Sequence, residues 1–185
     1  RGDDEVFETK RGGLGEESGV AMRVAIYAGT FDPITRGHLS VIERSAELFD
    51  RLIVVVAKNP NKQPMFTAEE RVLMIQGEIA GRSNVECTST SGYVVELARE
   101  RGAKYLVRGV RGSTDAEAEI ALAHLNRGLA PEIETVFVPA HPELSEVSSS
   151  RLKELAESGE DIERYCPPAV AERLKERLTL GRIST

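Results

Sequence analysis

The sequence has no tryptophan, only four tyrosines and five phenylalanines, and no excess of basic residues. Its 185 residues include 30 Asp and Glu against 24 Lys and Arg, which gives a net charge of −6 at pH 7. A general nucleic-acid surface would show a basic face. The composition therefore argues against a nucleic-acid partner, and any phosphate that the chain binds must meet a local cluster of basic residues.

Cysteines and long apolar runs are also scarce. Cys87 and Cys166 lie far apart and show neither CxxC nor Cys/His ligand spacing, so the sequence contains no zinc motif and no disulfide framework. This favours a reducing cytoplasm as the location. The longest apolar runs, such as residues 52–57, are far shorter than the ~20 residues that cross a bilayer, so no membrane association is predicted.

Residues 1–21 differ from the rest of the chain. They carry six acidic against three basic residues and lack the apolar segment of a secretion signal. We expect them to be a flexible leader or an added extension. The remaining residues, 22–185, suit a single domain with its own core, since domains commonly hold ~100–150 residues.

From Met22 onward, short apolar runs alternate with helical patterns. Thr67 and Glu70 form the signature of a capping box at one helix start, and Gly102 suits a left-handed helix end. Strands are predicted at 23–28, 51–57, 84–89, 104–109 and 134–140. This order predicts an α/β fold with a doubly wound, five-stranded parallel sheet of the Rossmann-like kind.

Polar and basic residues follow the predicted strands at the edge where such a sheet binds ligands. The first strand leads to Gly29, Thr30 and Phe31; later strand ends carry Lys58, Lys62, Arg108, Arg111 and the serines 148–150. Taken singly, a loop lysine is usually solvated, and Ser148 is an ordinary helix cap. Their coincidence at several strand ends of an acidic chain indicates a nucleotide site.

The stretch "GTFDPITRGH" narrows the kind of nucleotide site. The sequence lacks both the GxGxxG fingerprint and the P-loop after the first strand. Instead, the stretch resembles the Thr/His-x-Gly-His motif of the nucleotidyltransferase superfamily. Gly29 would let the backbone approach a phosphate, Gly37 would make room for a triphosphate at the helix start, and His38 would face the α-phosphate.

The resemblance extends from Met22 to about Leu178 and is to the bacterial phosphopantetheine adenylyltransferases. It is carried, in order, by "YAGTFDPITRGH", "KNPNKQPMFTAEERV", "LVRGVR", "LAHLNRGLAPEIETVF" and "VSSSRLKELA". It implies the nucleotidyltransferase fold, ATP and 4′-phosphopantetheine as substrates, and dephospho-coenzyme A and pyrophosphate as products. It further implies Mg²⁺ carried by the triphosphate with no metal ligands from the protein, a homohexamer, and coenzyme A as a feedback inhibitor.

The same resemblance implies roles for individual residues. Thr30 and His38 would contact the α-phosphate, and Lys62 and Arg108 would hold the acceptor phosphate. Val94, beside Tyr93, would meet the pantetheine arm, while Thr30 and Lys62 would lie where both substrates meet. The implied ATP contacts are Thr30, Phe31, His38, Gly109, Val110, Arg111, Glu119, Leu144, Ser145, Glu146, Val147, Ser148, Ser149 and Ser150.

Four positions depart from the family pattern, because Ala116, Ala118, Leu144 and Glu146 stand where aromatic residues are usual. Either the packing is compensated, or adenine is held differently, or the base or acceptor has changed. A nicotinamide mononucleotide adenylyltransferase or a cytidylyltransferase would share "GTFDPxxxGH" without the lysine of "PNKQPMF" and the "RGVR" pair. A non-catalytic nucleotide-binding module and an interaction scaffold with an inert pocket are the remaining alternatives.

Overall fold

The computed structural model describes residues 21–58, 63–145 and 147–183, and its centre is a parallel sheet. The strands are β1 (Val24–Gly29), β2 (Arg51–Ala57), β3 (Val85–Thr90), β4 (Tyr105–Val110) and β5 (Glu134–Pro139). Their order is β3-β2-β1-β4-β5, and every neighbouring pair is parallel. The predicted doubly wound sheet is confirmed. The predicted leader lies outside the described residues except for residue 21.

Helices cover both faces of this sheet. They are α1 (Arg36–Leu48), α2 (Ala68–Ile79), α3 (Val94–Glu100), α4 (Ser113–Leu129), α5 (Ser149–Glu157) and α6 (Pro168–Ile183), with a 3₁₀ turn at Pro142–Leu144. The capping box of α2 is present, since the Glu70 amide donates to Thr67 Oγ1 and the Thr67 amide donates to Glu70 Oε2. In the described ranges, no helix is long and apolar enough to span a membrane.

The core lies on either side of β1 and β2, whose residues are buried almost throughout. One cluster packs Val54 against Ile42, Ile75 and Leu174 from three helices. The other packs Ile26 and Ile53 against α3. Strands with both faces covered read as continuous apolar runs, which is why residues 51–57 were recognisable in the sequence.

The chain reverses its direction of winding between β1 and β4, which are neighbours in the sheet. At such a switch point the loops after the two strands diverge and leave a crevice at their carboxyl ends. The loop after β1 leads into α1, and the loop after β4 leads into α4. The topology therefore places the residues that follow β1 and β4 around one crevice.

Candidate active site

A cavity of about 960 Å³ occupies the crevice at the switch point. Its walls come from the ends of β1 and β4, the first turn of α1, one face of α4 and the start of α5. The structure brings these sequence-predicted site residues together in the wall: Thr30, Phe31, His38, Val94, Arg108, Gly109, Arg111, Glu119, Val147, Ser148, Ser149 and Ser150.

The turn after β1 is shaped by Phe31. Its ring is 1% exposed and makes edge-to-face contacts with Tyr27 and His38, at centroid distances of 5.3 and 5.1 Å. A Cβ atom on Gly29 would lie 2.9 Å from Phe31 Cζ, so only glycine leaves room for this ring. With Phe31 turned inward, the neighbouring Thr30 is exposed to the cavity.

His38 is the third residue of α1 and belongs to a capping box with Thr35. The Thr35 amide donates to His38 Nδ1 at 3.1 Å, and the His38 amide donates to Thr35 Oγ1 at 3.3 Å. A ring nitrogen that accepts a hydrogen bond carries no proton, so the neutral ring must hold its proton on Nε2. The first turn of α1 therefore fixes His38 as an Nε2–H donor.

The charge state of His38 agrees with this hydrogen bonding. Burial lowers its pKa to about 4, and the nearby cation of Arg111 acts in the same direction. At neutral pH the ring is uncharged, and it lines the cavity beside the N-terminus of α1. In this position the neutral imidazole can donate a hydrogen bond from Nε2 to an anion, and it does not have to accept a proton.

We expect nitrogen NMR of labelled protein to show His38 protonated on Nε2 at pH 7, with a titration midpoint near 4 rather than the ordinary 6.5. Because the folded-state pKa is depressed, the unfolded chain binds more protons between these two values. The contribution of His38 to stability is complete above about pH 6.5 and is lost as the pH falls toward 4. Urea unfolding of the wild type and of His38→Asn, which does not titrate, should diverge below pH 6.5. A midpoint near 6.5 would contradict the assignment.

Arg108 projects from β4 and is held by two partners. Its Nε and Nη2 donate to both carboxylate oxygens of Glu119 on α4, at 2.5 and 2.8 Å. Its Nη1 donates to the Ala28 carbonyl at 2.8 Å. A guanidinium has five N–H groups, so one on Nη1 and one on Nη2 remain for a ligand. Glu119, which the resemblance implied as an ATP contact, is thus the residue that orients Arg108.

Arg111, in the loop between β4 and α4, is paired in a similar way with Asp115, which lies one turn before Glu119 on α4. It donates to Asp115 through Nη2 at 2.8 Å, and its backbone amide donates to the same carboxylate at 3.1 Å. The hydrogen bond from the Arg111 side chain is the main cause that lowers the pKa of Asp115. Nearby, burial raises the pKa of the Tyr27 hydroxyl, so that group stays protonated at neutral pH. Among the described residues of the wall, both of these arginines are therefore paired with carboxylates, and the Tyr27 hydroxyl keeps its proton.

Some predicted site residues do not line the cavity. Val110 ends β4, Leu144 ends the 3₁₀ turn, and Ser145 Oγ donates to the Pro142 carbonyl, all beside the wall rather than in it. Lys62 and Glu146 lie outside the described residues. Their implied roles stay predictions.

The sequence did not reveal all of the wall. On α4, Leu122, Leu125, Asn126 and Leu129 form an apolar strip that extends the cavity beyond Glu119. Their spacing of three and four residues was visible but reads equally well as ordinary helix packing. Thr35 was missed because the box partner is His38 rather than the usual Glu or Gln.

The unusual Ala116 and Ala118 are not part of the cavity wall, although both lie on α4. Leu144 contacts the start of α1 instead, because its carbonyl would lie 3.4 Å from a Cβ on Gly37. These positions therefore bear on what packs around α4 and α1 more directly than on the phosphate-binding residues.

Comparison with known proteins gives consistent matches. The cytidylyltransferase-like family matches residues 26–155. The phosphopantetheine adenylyltransferase of Heliobacterium modesticaldum is 47% identical over 84% of this chain and 93% of its own, and that of Synechococcus sp. strain JA-3-3Ab is 49% identical over 85% and 99%. Among solved structures, one assigned provisionally as a nicotinate-nucleotide adenylyltransferase from Vibrio parahaemolyticus matches with a TM-score of 0.64 at 24% identity, covering 85% of this chain and 94% of that one. This last likeness concerns the fold alone.

Proposed function

The chain belongs to the cytidylyltransferase-like family and, within it, to the phosphopantetheine adenylyltransferases, and on this premise we propose that it transfers the adenylyl group of ATP to 4′-phosphopantetheine. The products are dephospho-coenzyme A and pyrophosphate, and the reaction is a step of coenzyme A biosynthesis. The observation that carries the proposal is the neutral His38 donor beside Thr30 and Arg108 in one cavity at the switch point.

The reaction joins two anions, so it needs alignment and charge compensation rather than a base. An oxygen of the acceptor phosphate, already ionised at neutral pH, forms a bond to the α-phosphorus while the bond from that phosphorus to the β-phosphate oxygen breaks. His38 Nε2–H and Thr30 would donate to the oxygens of the α-phosphate as charge grows on them. The leaving pyrophosphate takes both bonding electrons and needs no proton at that moment.

Arg108 would hold the acceptor phosphate through its two remaining N–H groups, with Lys62 as a second cation. Both partners of Arg108 fix its planar fork before the substrate arrives, which lowers the entropy cost of alignment. The apolar strip of α4 and Val94 continue from this point and suit the pantetheine arm. Arg111 and the serines 148–150 lie on the same cavity and suit the polyphosphate.

Magnesium enters this scheme as part of the MgATP substrate. Within the ranges that the structure describes, no three His, Cys, Asp or Glu side chains cluster as metal ligands. The nearest carboxylates, Asp115 and Glu119, are both committed to arginines. Mg²⁺ is commonly held through substrate phosphates rather than by a protein cage, which fits this donor set.

The test is pyrophosphate release by the purified protein with ATP, Mg²⁺ and 4′-phosphopantetheine. We expect release only when both ATP and the acceptor are present, and no release when CTP replaces ATP. Release with nicotinamide mononucleotide as the acceptor, or with CTP as the donor, would favour a sister nucleotidyltransferase. Binding of ATP by calorimetry without turnover in any mixture would favour a non-catalytic nucleotide-binding module.

Assembly of the subunits is a further part of the proposal. Outside the cavity wall, helix α4 exposes Ile120 and the edge strand β5 exposes Phe137. Exposed apolar side chains suit contact with further copies of the chain and support self-association, while the number six comes from the resemblance alone. The hexamer, inhibition by coenzyme A and a cytoplasmic location stay predictions, the first of which light scattering would test.

A further inference from the structure

Arg71 is a buried cation next to the candidate active site. It lies on the first turns of α2, and only 4% of its surface is exposed. Its Nη1 donates to the Thr30 carbonyl at 2.7 Å, and its Nε donates to the Thr67 carbonyl at 3.2 Å. Among the residues described, no carboxylate forms an ion pair with it.

The peptide group that Arg71 holds is the one that joins Thr30 to Phe31. Phe31 has a φ of +47°, in the left-handed region that bulky residues rarely adopt. Such a conformation costs about 1–3 kcal/mol and persists only where the surroundings enforce it. Two contacts enforce it here: the ring of Phe31 is buried, and the carboxylate of the adjacent Asp32 accepts from the amides of Met65 and Phe66, both at 2.9 Å.

Arg71 is the member of this arrangement that touches Thr30 itself. It also lines a second cavity of about 480 Å³, which shares Thr30, Ser149 and Ser150 with the first. The two acids in that cavity are already paired, Asp32 with Lys153 at 3.0 Å and Glu69 with Lys58 at 3.5 Å. A buried cation without a carboxylate depends on the other hydrogen bonds that it makes, so the carbonyls of Thr30 and Thr67 are the groups that satisfy Arg71.

We propose that Arg71 is a positioning residue for the adenylyl transfer and that it acts through Thr30. By holding the Thr30 carbonyl, it fixes the Thr30 hydroxyl and the peptide beside it where they meet the α-phosphate in the transition state. A displacement of ~1 Å in such a group can cost ~10² in rate. This inference rests on the function proposed above.

The test is a double-mutant cycle on the full-length enzyme with Arg71→Met, Thr30→Ala and the double variant. Arg71→Met is expected to lower kcat by about 10–100-fold, with a much smaller change in the KM for ATP. In the Thr30→Ala background, Arg71→Met should lower kcat by less than about threefold, because the residue through which it acts is already lost. Equal losses in both backgrounds, or an unchanged kcat in the folded single variant, would overturn the proposal.

Two further variants separate positioning from stability. Arg71→Lys keeps a cation and a donor, so its kcat should be higher than that of Arg71→Met. If Arg71→Met fails to fold, Arg71→Lys replaces it in the double-mutant cycle. Arg177 is the matched control, because it also donates to a carbonyl near the turn, that of Met65, and pairs with Glu70. Arg177→Met should also destabilise the fold, but it should change kcat by the same factor in the wild-type and the Thr30→Ala backgrounds.

Amide exchange gives a readout that does not depend on turnover. In Arg71→Met without ATP, the amides of residues 30–32 should exchange faster than in the wild type, and unchanged exchange would count against the proposal. If the wild type releases no pyrophosphate with phosphopantetheine, the proposed function fails while this measurement still decides the role of Arg71 in the turn.

Discussion

Replacing His38 with alanine is expected to lower kcat by about 10²–10³-fold, the usual cost of losing one donor to a developing negative charge. His38 is suited to this role because its proton is fixed on Nε2 and because burial keeps its pKa at about 4. A neutral donor binds the α-phosphate more tightly as charge grows on it, so the loss should fall on kcat rather than on the KM for ATP. Steady-state pyrophosphate release at saturating ATP measures the effect.

The alanine variant also removes the acceptor for the Thr35 amide, which costs about 1–3 kcal/mol of stability if that amide stays buried. His38→Asn separates the two effects, because its side-chain oxygen can accept from Thr35 while nothing replaces Nε2–H. We expect His38→Asn to retain the melting temperature and still lose most of its turnover. A variant that keeps more than about half of the wild-type kcat would refute the assignment of His38.

Much of the fold could be predicted because buried parallel strands are recognisable in the sequence as continuous apolar runs. The run at residues 51–57 is apolar at nearly every position since both of its faces are covered, and β2 occupies the same residues in the structure. Once the strands are placed, the switch-point rule brings their carboxyl ends together, which is how Thr30, His38 and Arg108 could be grouped without coordinates.

The pairings within the site could not be predicted in this way. Arg108 and Glu119 lie on different elements, 11 residues apart, and Arg71 reaches Thr30 across 41 residues. Such contacts depend on how a helix rotates on the sheet, and residue spacing along the chain does not determine that rotation. The capping box of Thr35 is local but was hidden by an unusual partner, His38, in the third helical position.

Arg108→Ala is expected to lower kcat/KM for 4′-phosphopantetheine by a factor comparable to the loss of kcat in His38→Ala. Two charge-assisted hydrogen bonds to the acceptor phosphate, at about 1.5–3 kcal/mol each, correspond to a loss of at least ~10² in kcat/KM for 4′-phosphopantetheine. The KM for ATP should change far less, because the proposed ligand of the two remaining N–H groups of Arg108 is the acceptor phosphate. Initial rates with each substrate varied in turn would measure both values.

Arg108→Ala should lower the affinity for the acceptor by more than the loss of two hydrogen bonds, because it also leaves the carboxylate of Glu119 unpaired. The side chain of Glu119 is only 16% exposed, so without Arg108 it would present an unpaired negative charge to an incoming phosphate. Combining Arg108→Ala with Glu119→Gln removes that charge and should recover stability and part of the acceptor affinity, but not the wild-type rate. If the double variant regains full kcat/KM, Arg108 serves only to neutralise Glu119, and the acceptor phosphate is held elsewhere. If the double variant stays ~10-fold or more below the wild type, the guanidinium itself binds that phosphate.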